Sequence, residues 1–215
     1  MRAYVGNDDS IWKPMPGFFA PGTPLYTEEG GDILKGLRKV AAAKRLLADS
    51  GYAGEPVTLM AAQDIDIFKA WGDVTADLLK RLDMKVDFAA ADFGTVVARA
   101  AQKSPPRRGG WQMYVSAHNG VDCADASNSF VRANGNALAN GWANNPQIEA
   151  EVAAWYDARS LDEEKTIARR LNRLAVDHVL IAPLGVLLLH YAWRKNVRGI
   201  VQAPLPLFWG VSKTA

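Results

Sequence analysis

The sequence predicts an α/β protein in which a mixed or parallel sheet is flanked by helices. Short apolar runs, typical of buried strands, alternate with longer segments whose apolar residues recur at helical spacing. Such alternation is typical of strand–helix–strand units, whose crossovers are almost always right-handed. The chain has 215 residues, which is enough for one large domain or two small ones with a real hydrophobic core.

The individual elements follow from apolar spacing and end signals. Strands are predicted at 56–61, 85–89 and 111–115, and helices at 32–50, 66–82 and 93–103. Leu46 lies on the apolar stripe of the first helix, and Val74 and Leu78 lie on that of the second. Gly51 is expected to end the first helix.

The second half of the chain is predicted to hold two more helices and a strand-rich end. Asn145-Pro146 is typical of a helix start, and Ser160 with Glu163 three residues later forms a capping box. The apolar segment 179–192 is predicted to be a buried strand, and 183–209 to hold two or three strands. Four prolines within residues 1–30 predict an extended arm that packs over the core.

Composition excludes several classes of protein. Lys and Arg number 25 and Asp and Glu 23, so there is no basic excess of the kind that nucleic-acid binding requires. Cys123 is the one cysteine, which excludes an internal disulfide and a multi-cysteine zinc site. No apolar run is long enough to span a membrane, and no signal peptide is visible at the start. No cofactor motif appears, so no cofactor is expected.

The candidate site follows from the predicted sheet. Ligands of open parallel sheets bind beyond the carboxyl ends of the strands, which here are followed by residues 62–66, 90–93 and 116–128. The third of these loops is rich in hydrogen-bonding groups and holds Asp122 and Asp125. Their carboxylates could pair with an ammonium group or another cation. They could equally form Asx turns with their own backbone.

Two other functions are compatible with the residues alone. Cys123 and His118 could be the nucleophile and base of a stand-alone cytoplasmic thiol enzyme, which would require a lowered thiol pKa. An exposed face could instead make the chain an interaction module, which predicts a defined oligomer.

A series of short motifs, in order along nearly the whole chain, resembles the extracellular solute-binding proteins of ABC importers, family 5, the peptide- and nickel-binding type. The matching segments are 18–24, 42–52, 56–59, 75–88, 95–99, 109–111, 141–142, 148–149, 183–185, 192–199 and 208–209. The family's full proteins are longer and have two lobes. The signature of their first lobe is absent, so the resemblance implies a type II, cluster C periplasmic-binding-protein-like C-terminal lobe.

The resemblance implies a division of labour along the chain and a set of partners. Residues 1–30 would form an arm near the hinge, 31–182 the α/β ligand-binding lobe, and 183–215 strands that return toward the missing N-terminal lobe. The protein would be periplasmic or extracellular, would not be an enzyme, and would deliver a small peptide or peptide-like solute to ABC permease subunits. The cleft face left exposed without the first lobe could support a dimer.

Site residues carry over from the family by motif. Asp122 stands where peptide binders of the family place the aspartate that pairs with the α-amino group of the ligand, and His118 and Asn119 directly precede it. Gln63 occupies the region where dipeptide binders carry an arginine for the ligand carboxylate. Two further departures are Phe93, where tryptophan is usual, and Val186, where glutamine is usual.

Overall fold

A central parallel sheet organises the fold. A computed structural model describes residues 1–8, 10–34, 39–136, 141–203 and 205–214. Three strands lie in the order β3-β2-β4, namely β2 (Val57–Ala62), β3 (Val86–Ala91) and β4 (Met113–Tyr114). The middle strand, β2, pairs in parallel with both neighbours. The predicted α/β architecture with a helix-flanked sheet is therefore confirmed.

Helices connect and cover the strands. Those in the described residues are α1 (Arg2–Val5), α2 (Val40–Asp49), α3 (Asp66–Arg81), α4 (Phe93–Ala100), α5 (Pro146–Tyr156) and α6 (Leu161–Asp177). Because α3 follows β2 and α4 follows β3, both begin at the carboxyl edge of the sheet and lead back to its amino edge. This arrangement fixes where the loops after the strands meet.

Four short strands pair outside the central sheet. β1 (Trp12–Lys13) runs antiparallel to β5 (Val186–Leu187), and β6 (Val197–Arg198) runs antiparallel to β7 (Ser212–Lys213). Each is two residues long. Of the two or three strands predicted in 183–209, β5 and β6 form, and the partner of β6 lies beyond that range.

The end signals of the helices act as predicted. The Asn145 side chain accepts hydrogen bonds from the backbone N–H groups of the first turn of α5, and Pro146 begins that helix. Ser160 Oγ accepts a bond from Glu163 N at 3.3 Å, and the Glu163 carboxylate accepts one from Arg159 N at 2.7 Å. The capping box is thus present, with its return bond one residue earlier than usual. Gly51 follows α2 at a φ of +81°, which favours glycine.

Two hydrophobic clusters hold the fold together. The first, here called the sheet core, lies between the sheet and α3 and α4, with Leu59 and Met60 at its centre. The second, the helical core, joins α5 and α6 to the N-terminal arm, and Phe18, Phe19 and Leu25 of the arm are buried in it. The arm therefore packs on a core as predicted, and contributes some of its largest side chains.

The predicted helix over 32–50 is wrong in extent and in burial. A 3₁₀ turn spans Gly31–Leu34, and α2 begins only at Val40. Residues 35–38, which include Leu37 of the predicted stripe, lie outside the described residues. No residue of α2 is buried, and Leu46 is 70% exposed. Val40, Ala43 and Leu47 of the predicted stripe are half-buried, so this face is only partly covered in this chain.

The buried face of α3 differs from the predicted one, and α4 is shorter than predicted. Val74 and Leu78 of α3 are largely exposed, whereas Gly72 and Ala76 lie on its buried face. A Cβ at Gly72 would collide with the Cβ of Ala61 in β2, so the helix approaches the sheet too closely for larger side chains. The fourth helix ends at Ala100 rather than at residue 103.

The C-terminal segment departs most from its prediction. Residues 179–192 were expected to form a buried strand, but only the two residues of β5 are extended and paired. Leu189 is 65% exposed, and His190, expected inside an apolar strand, is also exposed. Val179 lies beyond the end of α6 at a φ of +49° and is 72% exposed. The apolar side chains of this segment favour burial, but the described residues leave many of them exposed.

Candidate functional site

Three loops meet at the carboxyl edge of the sheet, as the topology requires. The loop after β2 is joined to the start of α4 by a hydrogen bond from Phe93 N to Asp64 Oδ1, at 2.9 Å. The ring of Phe93 stacks on Phe68 of α3, with centroids 5.4 Å apart. Backbone and ring of Phe93 are both held, so the first two loops form one rigid rim.

Asp92 fixes the start of α4. Its carboxylate accepts bonds from the Thr95 backbone N–H at 2.9 Å and the Thr95 hydroxyl at 2.6 Å. The side-chain bond from Thr95, followed by the backbone bond, holds the pKa of Asp92 below its usual value. This N-cap was not predicted from the sequence, although an aspartate three residues before a threonine at a helix start is a recognisable cap signal.

The third loop folds around a 3₁₀ turn, Gly120–Cys123, and is tied to the N-terminal arm. Ala20 N donates to Cys123 O at 2.9 Å, which fixes the turn against the buried end of the arm. Asp125 Oδ1 accepts bonds from Ser127 N at 2.8 Å and Ser127 Oγ at 2.6 Å. Asp125 therefore forms the Asx turn that was one of the two alternatives for the aspartates of this loop.

Asp122 differs from Asp125. Its side chain is exposed, and among the described residues its carboxylate has no hydrogen-bond or ion-pair partner. Its backbone N–H donates to Asn119 O at 3.0 Å, which places the residue firmly within the turn. His118 and Asn119 are exposed beside it, and the His118 ring packs edge-on against Phe130 with centroids 4.4 Å apart. The turn therefore presents an open carboxylate on an anchored backbone.

Gln63 lies at the same edge of the sheet, at the end of β2. Its backbone N–H continues the sheet by donating to Ala91 O, and its Oε1 accepts a bond from Lys69 Nζ at 3.2 Å. Its Nε2 is buried and has no partner among the described residues. Parallel pairing of β2 with β4 brings Gln63 and the loop that holds Asp122 to one edge. No described contact joins the two side chains.

Cys123 has the opposite character from an activated nucleophile. The side chain is buried, and burial, with the nearby charge of Asp122 as a smaller cause, raises the pKa of its thiol to about 11. A catalytic thiol needs a lowered pKa, because the thiolate is the reactive form. The thiol enzyme with Cys123 and His118 as nucleophile and base is not supported.

Two surface depressions lie away from these loops. One depression of about 560 Å³ lies between the arm and α6, near Glu29 and Arg173. Another lies over the turn between α5 and α6. The first is lined mainly by charged groups, unlike the mostly apolar clefts that hold small molecules. Neither depression is lined by the loops at the sheet edge.

Neither a metal-binding cluster nor a membrane-spanning helix is present among the described residues. They contain no cluster of three or more His, Cys, Asp or Glu side chains placed to hold a metal ion. Within them, too, no helix combines the length and the apolarity that crossing a bilayer requires.

Comparisons with known proteins agree with the geometry. No family model matches the chain. A curated relative, a probable peptide ABC transporter periplasmic-binding protein (y4tO) of Sinorhizobium fredii, is 29% identical over 214 residues. The match covers 99% of this chain but only 40% of the relative. The chain thus spans less than half the length of the protein it resembles.

Solved structures show the same fold. A dipeptide-binding protein from Pseudoalteromonas in complex with Met-Leu matches 98% of this chain and 41% of its own, with a TM-score of 0.72 and 14% identity. The ABC transporter substrate-binding protein CtaP of Listeria monocytogenes matches 86% and 37%, with a TM-score of 0.71 and 13% identity. NikA of Staphylococcus aureus, in complex with Ni(L-His)2, matches 82% and 38%, with a TM-score of 0.61 and 15% identity. The resemblance inferred from the sequence and the periplasmic-binding-protein-like fold are confirmed.

Proposed function

We propose that this chain is the C-terminal lobe of an ABC importer substrate-binding protein, which captures peptides or peptide-like solutes for transport. The observation that carries the proposal is the likeness along the whole chain to a peptide ABC transporter periplasmic-binding protein, of which the chain spans 40%. Relatives of this kind are named as binding proteins, and the buried, weakly acidic thiol of Cys123 offers no activated nucleophile. A binding function is therefore favoured over an enzyme.

The solute contact we propose is made by Asp122, with Asn119, His118 and Gln63 as neighbouring polar groups. A carboxylate without an internal partner, held on a tied turn at the carboxyl edge of the sheet, suits an ammonium group. Because His118, Asn119 and Asp122 are exposed, a solute bound to them would be enclosed by a second lobe that closes over it. Binding proteins of this type work in the periplasm or outside the cell and hand their solute to permease subunits, and we propose the same for this protein.

We also propose that residues 183–215 pack against that second lobe, whereas 1–30 and 31–182 form the hinge-proximal arm and the ligand-binding lobe. Large apolar side chains are unusually exposed in the last segment, with Trp193 at 55%, Phe208 at 75% and Trp209 at 83%. Large apolar side chains that are exposed together in one segment are typical of an interaction site. More than half of the relative's length lies outside the match, which is compatible with a second lobe as the partner.

Truncation tests this division of the chain. Deleting residues 183–215 is expected to change the free energy of unfolding by less than about 1 kcal/mol, since few of these residues are buried. It should also lower the fluorescence of the dye ANS, which binds exposed apolar surface. Deleting residues 1–30 is the control, and it should prevent folding because it removes Phe18, Phe19 and Leu25 from the helical core. A 183–215 deletion that unfolds the chain would contradict the proposal.

Binding itself is tested with a short peptide that has a free amino group, Ala-Ala-Ala amide, and with its N-acetylated form as the matched control. The full product of the gene is titrated with each peptide. Binding is followed by the chemical shifts of the backbone amides, which detect even millimolar affinities. Saturable binding of the free amine, at least about tenfold tighter than that of the acetylated form, is expected from one charge-assisted bond. Equal affinity for the two peptides would argue against the proposed anchor.

A further inference from the structure

Charge is segregated along the parallel sheet. The three loops at the carboxyl edge, 62–66, 90–93 and 116–128, hold five aspartates and no lysine or arginine. The chain as a whole is balanced, with 25 basic and 23 acidic residues, so this asymmetry is local. A solute that approaches this edge therefore meets negatively charged carboxylates and no lysine or arginine from these loops.

One connection at the amino edge of the sheet, the one that precedes β4, carries the opposite charge. The connection from α4 to β4 lies at this edge, and from Phe93 to Val121 the chain has no acidic residue. Lys103, Arg107 and Arg108 are exposed there, and no ion pair to an acidic residue is described for any of them. The cations that could offset the acidic edge thus lie at the far end of the strands.

Lys69, a cation that the structure describes beside the acidic edge, is already engaged. Lys69 Nζ lies 3.1 Å from Asp73 Oδ2 and 3.2 Å from Gln63 Oε1, so its charge is paired within α3. Among the described residues of the three loops, Asp64, Asp92 and Asp125 accept hydrogen bonds from their own surroundings. The exposed carboxylates of Asp122 and of Asp66, in the first turn of α3, have no described partner. Within the described part of these loops, the edge has free acceptors for an ammonium group and no lysine or arginine for a carboxylate.

We infer that this site selects solutes that carry a free ammonium group and have no carboxylate close to it, such as peptide amides and cationic peptide-like amines. The inference rests on the proposed function and concerns which solutes the site accepts. A carboxylate two residues from the ammonium group would lie within the field of the same loops, because charges separated by less than about 10 Å are only partly screened at 0.1 M salt. Repulsion then weakens the binding that Asp122 provides.

Three dipeptide probes test the inference: Ala-Ala amide, Ala-Ala with a free carboxylate, and N-acetyl-Ala-Ala amide. The protein is produced as its gene encodes it and titrated at 20 mM salt. The amide is expected to bind about tenfold more tightly than the free acid, and the ratio should shrink at 300 mM salt, as for exposed charges. Equal or tighter binding of the free acid at low salt would overturn the selectivity while leaving peptide binding intact. If none of the three probes binds, the proposed function fails, and the inference with it.

Variants that remove only a charge distinguish an electrostatic cause of the selectivity from other causes. Asp64→Asn and Asp125→Asn keep the Oδ1 acceptor for Phe93 N and Ser127 N and remove one charge each. Each should lower the amide-to-acid ratio about two- to threefold. Asp157→Asn is the matched control, because Asp157 lies at the end of α5 outside the three loops, and it should leave the ratio unchanged. An unchanged ratio in both loop variants would refute an electrostatic origin of the selectivity.

Discussion

Replacing Asp122 with alanine is expected to weaken binding of a peptide with a free amino group by about 10- to 150-fold, the equivalent of one hydrogen bond to a charged group. The physical reason is the open carboxylate on a turn that two backbone bonds, Asp122 N to Asn119 O and Ala20 N to Cys123 O, hold in place. Folding should be unaffected, since the side chain is exposed and has no partner among the described residues.

Titrations followed by calorimetry or chemical shift measure this loss, and circular dichroism checks the fold. Asp122→Asn keeps the shape of the side chain and removes its charge, so it should lose most of the same affinity. Asp157→Ala serves as the control for the removal of a surface aspartate. If Asp122→Ala bound the peptide as tightly as the wild type, the anchor would have to lie elsewhere.

Replacing Asn172 with alanine is expected to lower the free energy of unfolding by about 2–5 kcal/mol, because it leaves one buried and one half-buried backbone group unpaired. Asn172 is completely buried in α6. Its Oδ1 accepts a bond from Phe18 N at 2.8 Å, and its Nδ2 donates to Glu29 O at 2.8 Å. A Cβ at Gly17 would collide with the Asn172 amide, so arm and helix are in close contact. This side chain fixes both ends of the buried part of the arm.

Urea unfolding measured by tryptophan fluorescence tests the role of Asn172. Arg169→Ala, on the exposed face of the same helix, is the control and should change the free energy of unfolding by less than about 0.5 kcal/mol. Asn172→Asp keeps the acceptor for Phe18 N but loses the donor to Glu29 O, so it separates the two bonds. A loss in Asn172→Ala no larger than that of the control would show that the arm is held by apolar packing alone.

Helix ends were predictable because their chemistry is local. Asn145 with Pro146, and Ser160 with Glu163, satisfy backbone groups within four residues of themselves, so no tertiary information is required. The order of strands and helices was predictable for a similar reason, since each element carries its own apolar period. The loops at the carboxyl edge then followed from the topology.

Burial was predicted less well. An apolar side chain indicates that burial is favourable, but it does not show which part of the protein covers it. Leu46 in α2 and Leu189 near the C-terminus read as buried and are 70% and 65% exposed. In the proposed two-lobe protein, the cover for the C-terminal segment would come from a part of the protein outside this chain. An apolar sequence pattern does not show whether a surface packs against another lobe or against the core of the same lobe.

The candidate site, too, was only partly predictable from the sequence. The position of the third loop followed from the strand order, but the separate roles of its two aspartates did not. Asp125 is engaged by Ser127 two residues away, whereas Asp122 stays open, and both patterns were compatible with the sequence. The proposed role of Asp122 as an anchor came from the family resemblance and remains a prediction.

The most direct measurement is the amide chemical-shift map of the labelled protein with and without saturating Ala-Ala-Ala amide. We expect the shifted resonances to cluster in residues 62–66, 90–93 and 116–128, with the largest changes in the turn from Asn119 to Cys123. Binding with shifts confined to another surface, such as the depression near Glu29 and Arg173, would contradict the proposed site. The absence of any saturable shift up to millimolar peptide would contradict peptide capture itself.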